Sequence, residues 1–87
     1  MSIATVVETA VRQHVAARVA ETLAELGADP RRIAWDVRLD DLGLDSLDLA
    51  ELVQILELDF DLKLFALAHG RVHTVGDAVD LVVSQLA

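Results

Sequence analysis

Ser46 closes the irregular stretch Leu42-Gly43-Leu44-Asp45 and opens an apolar, helix-periodic one. A hydroxyl at a helix N-terminus is well placed to carry a phosphate group, because free backbone N–H groups and the positive end of the helix dipole face it. The dipole would favour a phosphodiester there by roughly 0.3–1 kcal/mol, and the nearby acids Asp45 and Asp48 would offset part of that. The plainer use of a serine at such a place is an N-cap. Hydrolysis through Ser46 would require an oxyanion site and a third group beside a base, and no motif offers them, so an enzyme is not expected.

Other chemistry-bearing residues point nowhere as specific. Asp36, Asp40, Asp41, Asp45 and Asp48 crowd together, but a calcium loop needs ligands at alternate positions and glycine at the sixth. Counting from Asp36 puts Arg38 at the third position, counting from Asp40 puts Leu42 there, and Gly43 fits neither frame. His69 and His73 straddle Gly70, which breaks the helix a metal pair would need. His14 falls near the core edge of the first helix and reads as structural. No metal site is expected.

Charge is concentrated around the same serine. Residues 1–35 hold four acids and four arginines, and residues 62–87 hold two acids against Lys63 and Arg71. Residues 36–61 carry nine acids and one base, so the whole net charge of −8 lies there. Such a one-sign patch steers encounters with oppositely charged protein partners and repels nucleic acid. The chain has no cysteine, so any thiol chemistry requires a cofactor. No basic, apolar leader is visible and no run approaches the ~18 apolar residues of a membrane span. The expectation is a cytoplasmic protein, monomeric and with no membrane span.

With 87 residues the chain is expected to form a single domain, 1–87. Apolar residues make up 54% but only Trp35, Phe60 and Phe65 are aromatic, so the interior must be aliphatic, as in a helical bundle. Ser2 caps a first helix, and Ile3, Val6/Val7, Ala10/Val11, Val15, Val19, Leu23 and Leu26 recur at helical steps. Gly27 and Pro30 stop it. Residues 28–44 form a long loop anchored by Ile33, Trp35, Val37, Leu39, Leu42 and Leu44, with a short turn near Pro30–Ile33. A second helix runs from Asp45 or Ser46 to about Phe60, with Leu49, Leu52, Val53, Leu56 and Phe60 facing the core. A short helix over Leu64–His69 ends at Gly70. Thr74-Val75-Gly76-Asp77 then opens the last helix as a capping box, with Val75, Ala78, Val79, Val82, Val83 and Leu86 inward.

The string D-L-G-L-D-S-L-D at Asp41–Asp48, the I-x-x-D-x-x-L-x-D-L-G-x-D-S-L form from Ile33 to Leu47, Phe60-Asp61 and the T-V-G-D opening together resemble the acyl carrier protein family. The resemblance covers roughly residues 20–87. It implies an all-α, four-helix bundle with three major helices, a short third helix and a long first loop. It implies 4′-phosphopantetheine, derived from coenzyme A, esterified to Ser46, with Asp45 and Leu47 flanking the attachment site. Leu47, Asp48, Ala50, Glu51, Gln54 and Glu57 are the implied partner-binding residues. Leu49, Val53, Leu56, Phe60 and Val79 are candidates to line a cavity for an acyl chain. Expected partners are a phosphopantetheinyl transferase and an acyltransferase, ketosynthase or acyl-activating ligase. The function implied is an acyl carrier for fatty acid or polyketide biosynthesis. A peptidyl or aminoacyl carrier, and a carrier-like adaptor without cargo, are the alternatives. The segment 62–73 departs from the family by lacking proline and acids and by carrying Lys63 and Arg71. Gln54 and Leu58 also depart from it, and these differences lean toward specialised metabolism.

Overall fold

The computed structural model describes every residue except Met1, His69 and Ala87. Four α-helices follow in order: α1, Ile3–Glu25; α2, Ser46–Phe60; α3, Phe65–Ala68; and α4, Val75–Leu86. Two short 3-10 turns, Pro30–Arg32 and Leu39–Leu42, interrupt the connection from α1 to α2. The fold is the all-α bundle expected, with no strand among the described residues. The expected end of the short helix, at His69, lies outside those residues.

Local chemistry starts and stops α1 where the sequence places it. The Ser2 hydroxyl accepts the Thr5 amide at 3.2 Å. At the other end Gly27 takes φ +115°, and the Ala28 amide reaches back to the Leu23 carbonyl at 3.0 Å. This crossed hydrogen bond is the usual way a glycine closes a helix. The middle and last turns of α1 bury Val15, Val19 and Leu23 completely. They meet Leu52 and Leu56 of α2, Leu64, and Val75, Ala78, Val79 and Val82 of α4 in one aliphatic core.

The first turns of α1 do not join that core, contrary to expectation. Ile3 is 83% exposed, Val6 and Val7 about half exposed, and Ala10 is exposed too. The reason is the length of the neighbouring helices. An edge-on contact between His14 and Phe60 and an ion pair between Arg18 and Asp59 set the last turn of α2 beside the middle of α1. Below that level α2 has ended, and Leu86, expected inward, is itself exposed at the end of α4. Apolar periodicity persists in the sequence where α2 no longer covers the helix and only the end of α4, at Val83 and Ser84, lies alongside.

The long connection is strapped to α4 rather than draped over the surface. The Leu39 amide donates to the His73 carbonyl (2.9 Å), the Val75 amide to Val37 (3.0 Å) and the Gly76 amide to Trp35 (2.8 Å). An isolated antiparallel bridge joins Arg38 and Thr74 between them. Trp35 is half exposed and sits against Gly76, while the Arg12 guanidinium lies 4.5 Å from its ring centroid and pairs with Asp80. Gly76 is required by this approach: a Cβ there would fall 2.6 Å from Trp35 Cε2 and 2.9 Å from the Trp35 carbonyl. Asp77 completes the capping box foreseen at Thr74. Its amide donates to the Thr74 hydroxyl, and its carboxylate accepts the His73 and Thr74 amides, all at 3.0 Å. The His73 amide, and then the Thr74 amide, hold the Asp77 carboxyl below the usual carboxylate range.

Two outcomes follow. Gly76→Ala should destabilise the fold by about 1–3 kcal/mol through overpacking, with a shift in Trp35 fluorescence in the native state. Asp77 stabilises the fold above its unfolded pKa of ~3.9, and this contribution is lost as pH falls through the lower folded value. Urea midpoints measured above and below that range should therefore drop more in wild type than in Asp77→Asn.

Candidate functional site

Ser46 owes its position to the four residues before it. Leu42 and Leu44 are buried, and Gly43 between them takes a left-handed φ of +76° at the end of the 3-10 turn. Nothing lies within 4 Å of a Cβ built on Gly43, so the backbone conformation is what calls for glycine there. Asp45 then caps α2 in extended geometry. Its Oδ1 accepts the Asp48 amide at 2.8 Å, and Asp48 Oδ2 accepts the Asp45 amide at 3.1 Å. The cap is Asp45 rather than Ser46, and Asp48 closes a reciprocal box. This frees Ser46 from capping and leaves it as the first helical residue, exposed. The Ser46 and Leu47 amides have no acceptor within the helix at this position.

An apolar cavity of about 250 Å³ opens beside Ser46. Leu49 and Val53 of α2, Leu39 of the loop, Phe65 and Ala68 of α3, and Val72 form most of its wall. Below it lies a void of about 20 Å³ that reaches Leu56 and Leu64. Leu52, Val53, Ala68 and Val72 line both spaces and so divide them. Of the five expected lining residues, Leu49 and Val53 border the cavity and Leu56 the deeper void. Phe60 and Val79 border neither: Phe60 packs edge-on against His14 with ring centroids 6.0 Å apart, and Val79 is fully buried in the core.

The expected partner face divides in a similar way. Leu47 is 74% exposed, and Glu51 and Gln54 are exposed along the same helix. Ala50 lies at the cavity wall, and the Asp48 carboxylate is engaged by the Asp45 amide. Glu57 turns inward along the chain: its Oε2 accepts the Leu64 amide at 2.7 Å and the Phe65 amide at 3.3 Å. Asp59 also belongs to the fold, since it pairs with Arg18, whose pKa is raised first by Asp59 and then by Glu21. Leu58, 84% exposed, and Phe65, 65% exposed, add apolar surface beside the acids. Phe65 was not singled out from the sequence as a site residue. Its signal was there: a large aromatic residue just after Lys63-Leu64, in a segment with no core periodicity.

An exposed serine at the first position of a capped helix, beside an apolar cavity in a small helical bundle, is an arrangement suited to carrying an esterified group. The family model described as a phosphopantetheine attachment site matches residues 15–82. The chain is similar to the acyl carrier protein of Caulobacter vibrioides, with 39% identity over 66 residues, covering 75% of this chain and 85% of that one. It is 40% identical over 65 residues to the acyl carrier protein of Phenylobacterium zucineum, covering 74% and 82% of the two chains. To that of Thermotoga maritima it is 35% identical over 79 residues, covering 88% and 98%. The chain belongs to the acyl carrier protein family, whose prosthetic group is a covalently attached 4′-phosphopantetheine. The site fits such a group: a free hydroxyl faces solvent at a helix N-terminus, with an apolar cavity alongside for what the group bears. The matched span begins at Val15, where the fully buried part of α1 begins, and leaves out its exposed first turns. Among the described residues no helix is long and apolar enough to cross a membrane.

Removing the cap should be felt at this site first. Asp45→Ala is expected to cost about 0.5–2 kcal/mol, read by denaturant unfolding. Amide hydrogen exchange should quicken at Asp48 before it does in the core of α2.

Proposed function

We propose that Ser46 is the attachment point of the phosphopantetheine arm and that the chain carries acyl groups in fatty acid or polyketide synthesis of a specialised kind. The observation that carries this reading is the placement of Ser46: exposed, first in its helix, and bordering an apolar cavity. When bound, the arm supplies a terminal thiol that holds cargo as a thioester. The protein's own residues hold and expose rather than react. Asp45 and Asp48 fix the first turn of α2, so that the Ser46 hydroxyl faces the transferase instead of folding back to cap the helix. The amides of Ser46 and Leu47, which have no acceptor within the helix, would suit the phosphate of the arm at that end. Asp45 and Leu47 flank the site as recognition features for the transferase.

Leu49 and Val53 offer an apolar wall that shelters cargo from water. The cavity favours acyl over aminoacyl cargo, since no lining side chain but Ser46 is polar and none is charged. Exposed Leu47, Gln54 and Glu51 present a mixed apolar and acidic face to an acyltransferase, ketosynthase or acyl-activating ligase. Exposed acids around the site steer such partners through basic surfaces.

Intact-mass measurement after incubation with coenzyme A and a promiscuous phosphopantetheinyl transferase tests the assignment. Wild type should gain one arm and Ser46→Ala none. A wild-type chain that stays unmodified, beside a control carrier that is modified, would overturn the reading and favour an adaptor without cargo.

A further inference from the structure

The short helix α3 supplies Phe65 and Ala68 to the cavity wall, yet it has four residues and cannot hold its own shape. Inside it the amides of Leu67 and Ala68 both return to the Leu64 carbonyl, at 3.0 and 2.8 Å. What fixes it to the bundle is largely one residue of α2. The Glu57 carbonyl accepts the Asp61 amide, with Asp61 in a left-handed turn of φ +54°, and the Leu62 amide at 3.0 Å. Its carboxylate then accepts the Leu64 amide at 2.7 Å and the Phe65 amide at 3.3 Å. Four amides of the link and of the α3 start thus converge on Glu57. Leu64, 1% exposed, is the apolar anchor beneath them.

We propose that the Glu57 carboxylate is the latch that keeps α3 closed against the cavity beside Ser46, so that shielding of cargo from water depends on it. Glu57 is a positioning residue here. It acts through the backbone of Leu64 and Phe65, and borders neither the cavity nor the void below it. Without its carboxylate, two amides at the start of α3 lose their acceptor. The element they leave is held by Leu64 and by the packing of Ala68 against Leu52 and Val53, and it opens locally while the three long helices stay folded. Gln in its place retains an acceptor oxygen on a side chain of the same length. The loss is therefore one of hydrogen-bond acceptance rather than of charge.

The functional half of this inference rests on Ser46 as the attachment point, and the test separates the two. Wild type, Glu57→Ala and Glu57→Gln are loaded from octanoyl- or acetyl-coenzyme A, and cleavage of each thioester by hydroxylamine is timed by intact mass. Glu57→Ala should speed octanoyl cleavage about fivefold, leave acetyl cleavage unchanged because that group is too short to shelter, and be rescued by Glu57→Gln. Equal octanoyl rates in wild type and Glu57→Ala would overturn the proposal, as would an equal rise for acetyl and octanoyl. If no arm is gained the Ser46 reading fails instead. The latch is then judged on the unloaded chain by amide exchange at Phe65 and Leu64. Selective acceleration there in Glu57→Ala but not in Glu57→Gln supports it, and unchanged exchange overturns it.

Discussion

The backbone at Gly43 decides where α2 begins, and most of the molecule's chemistry depends on that point. Leu42 and Leu44 both enter the core, and a residue between two buried leucines must turn sharply to let them do so. The left-handed φ at Gly43 makes that turn, and it brings the chain to Asp45 in the extended geometry of a helix cap. The Asp45–Asp48 box then takes up the amides of both aspartates. Ser46 is left with a free hydroxyl in solvent, one residue inside the helix. Had the serine been the cap, its oxygen would be turned back toward the α2 backbone and less open to modification.

The aliphatic interior and the cavity have a common cause. Three helices of unequal length pack around Val15, Val19, Leu23, Leu52, Leu56, Val79 and Val82, with no aromatic ring among the described residues of the buried core. Branched aliphatic side chains fill the centre, where α1 and α4 run together. They leave space where the four-residue α3 has to cover α2. The cavity therefore forms on the Ser46 side of the bundle, and the strapping of residues 35–39 to α4 holds its far wall at Leu39 and Val72. The acids of residues 36–61 surround this side too, although Asp48, Glu57 and Asp59 make bonds within the fold. The exposed remainder is what a basic partner meets.

Features whose causes are local were legible in the sequence. The Ser2 cap, the Gly27 stop, the turn after Asp29 and the Thr74–Asp77 box each depend on residues within a few positions of one another, and each forms where expected. Features set by distant segments were not. Ile3, Val6 and Val7 continue a correct apolar period, but no periodicity reports that α2 stops short of them. The packing of Trp35 over Gly76, which leaves no room for a Cβ, joins residues far apart in the chain, so the glycine reads in sequence only as a poor helix former. Phe60 and Val79 share the core face with Leu49 and Val53, and only the placement of α3 shows which of them meet the cavity. The sequence places Glu57 among the partner-binding acids, because the amides its carboxylate accepts are backbone groups that leave no mark in the side-chain sequence.

The account stands or falls on whether cargo attached at Ser46 enters the cavity beside it. Nuclear Overhauser contacts between an octanoyl group on the arm and isotope-labelled methyl groups measure this directly. Contacts to Leu49, Val53 and Val72, with none to Val19 or Leu23, are the predicted result. A loaded chain whose octanoyl group touches no methyl group of α2 or of the α3 side, and moves freely in solvent, would contradict it.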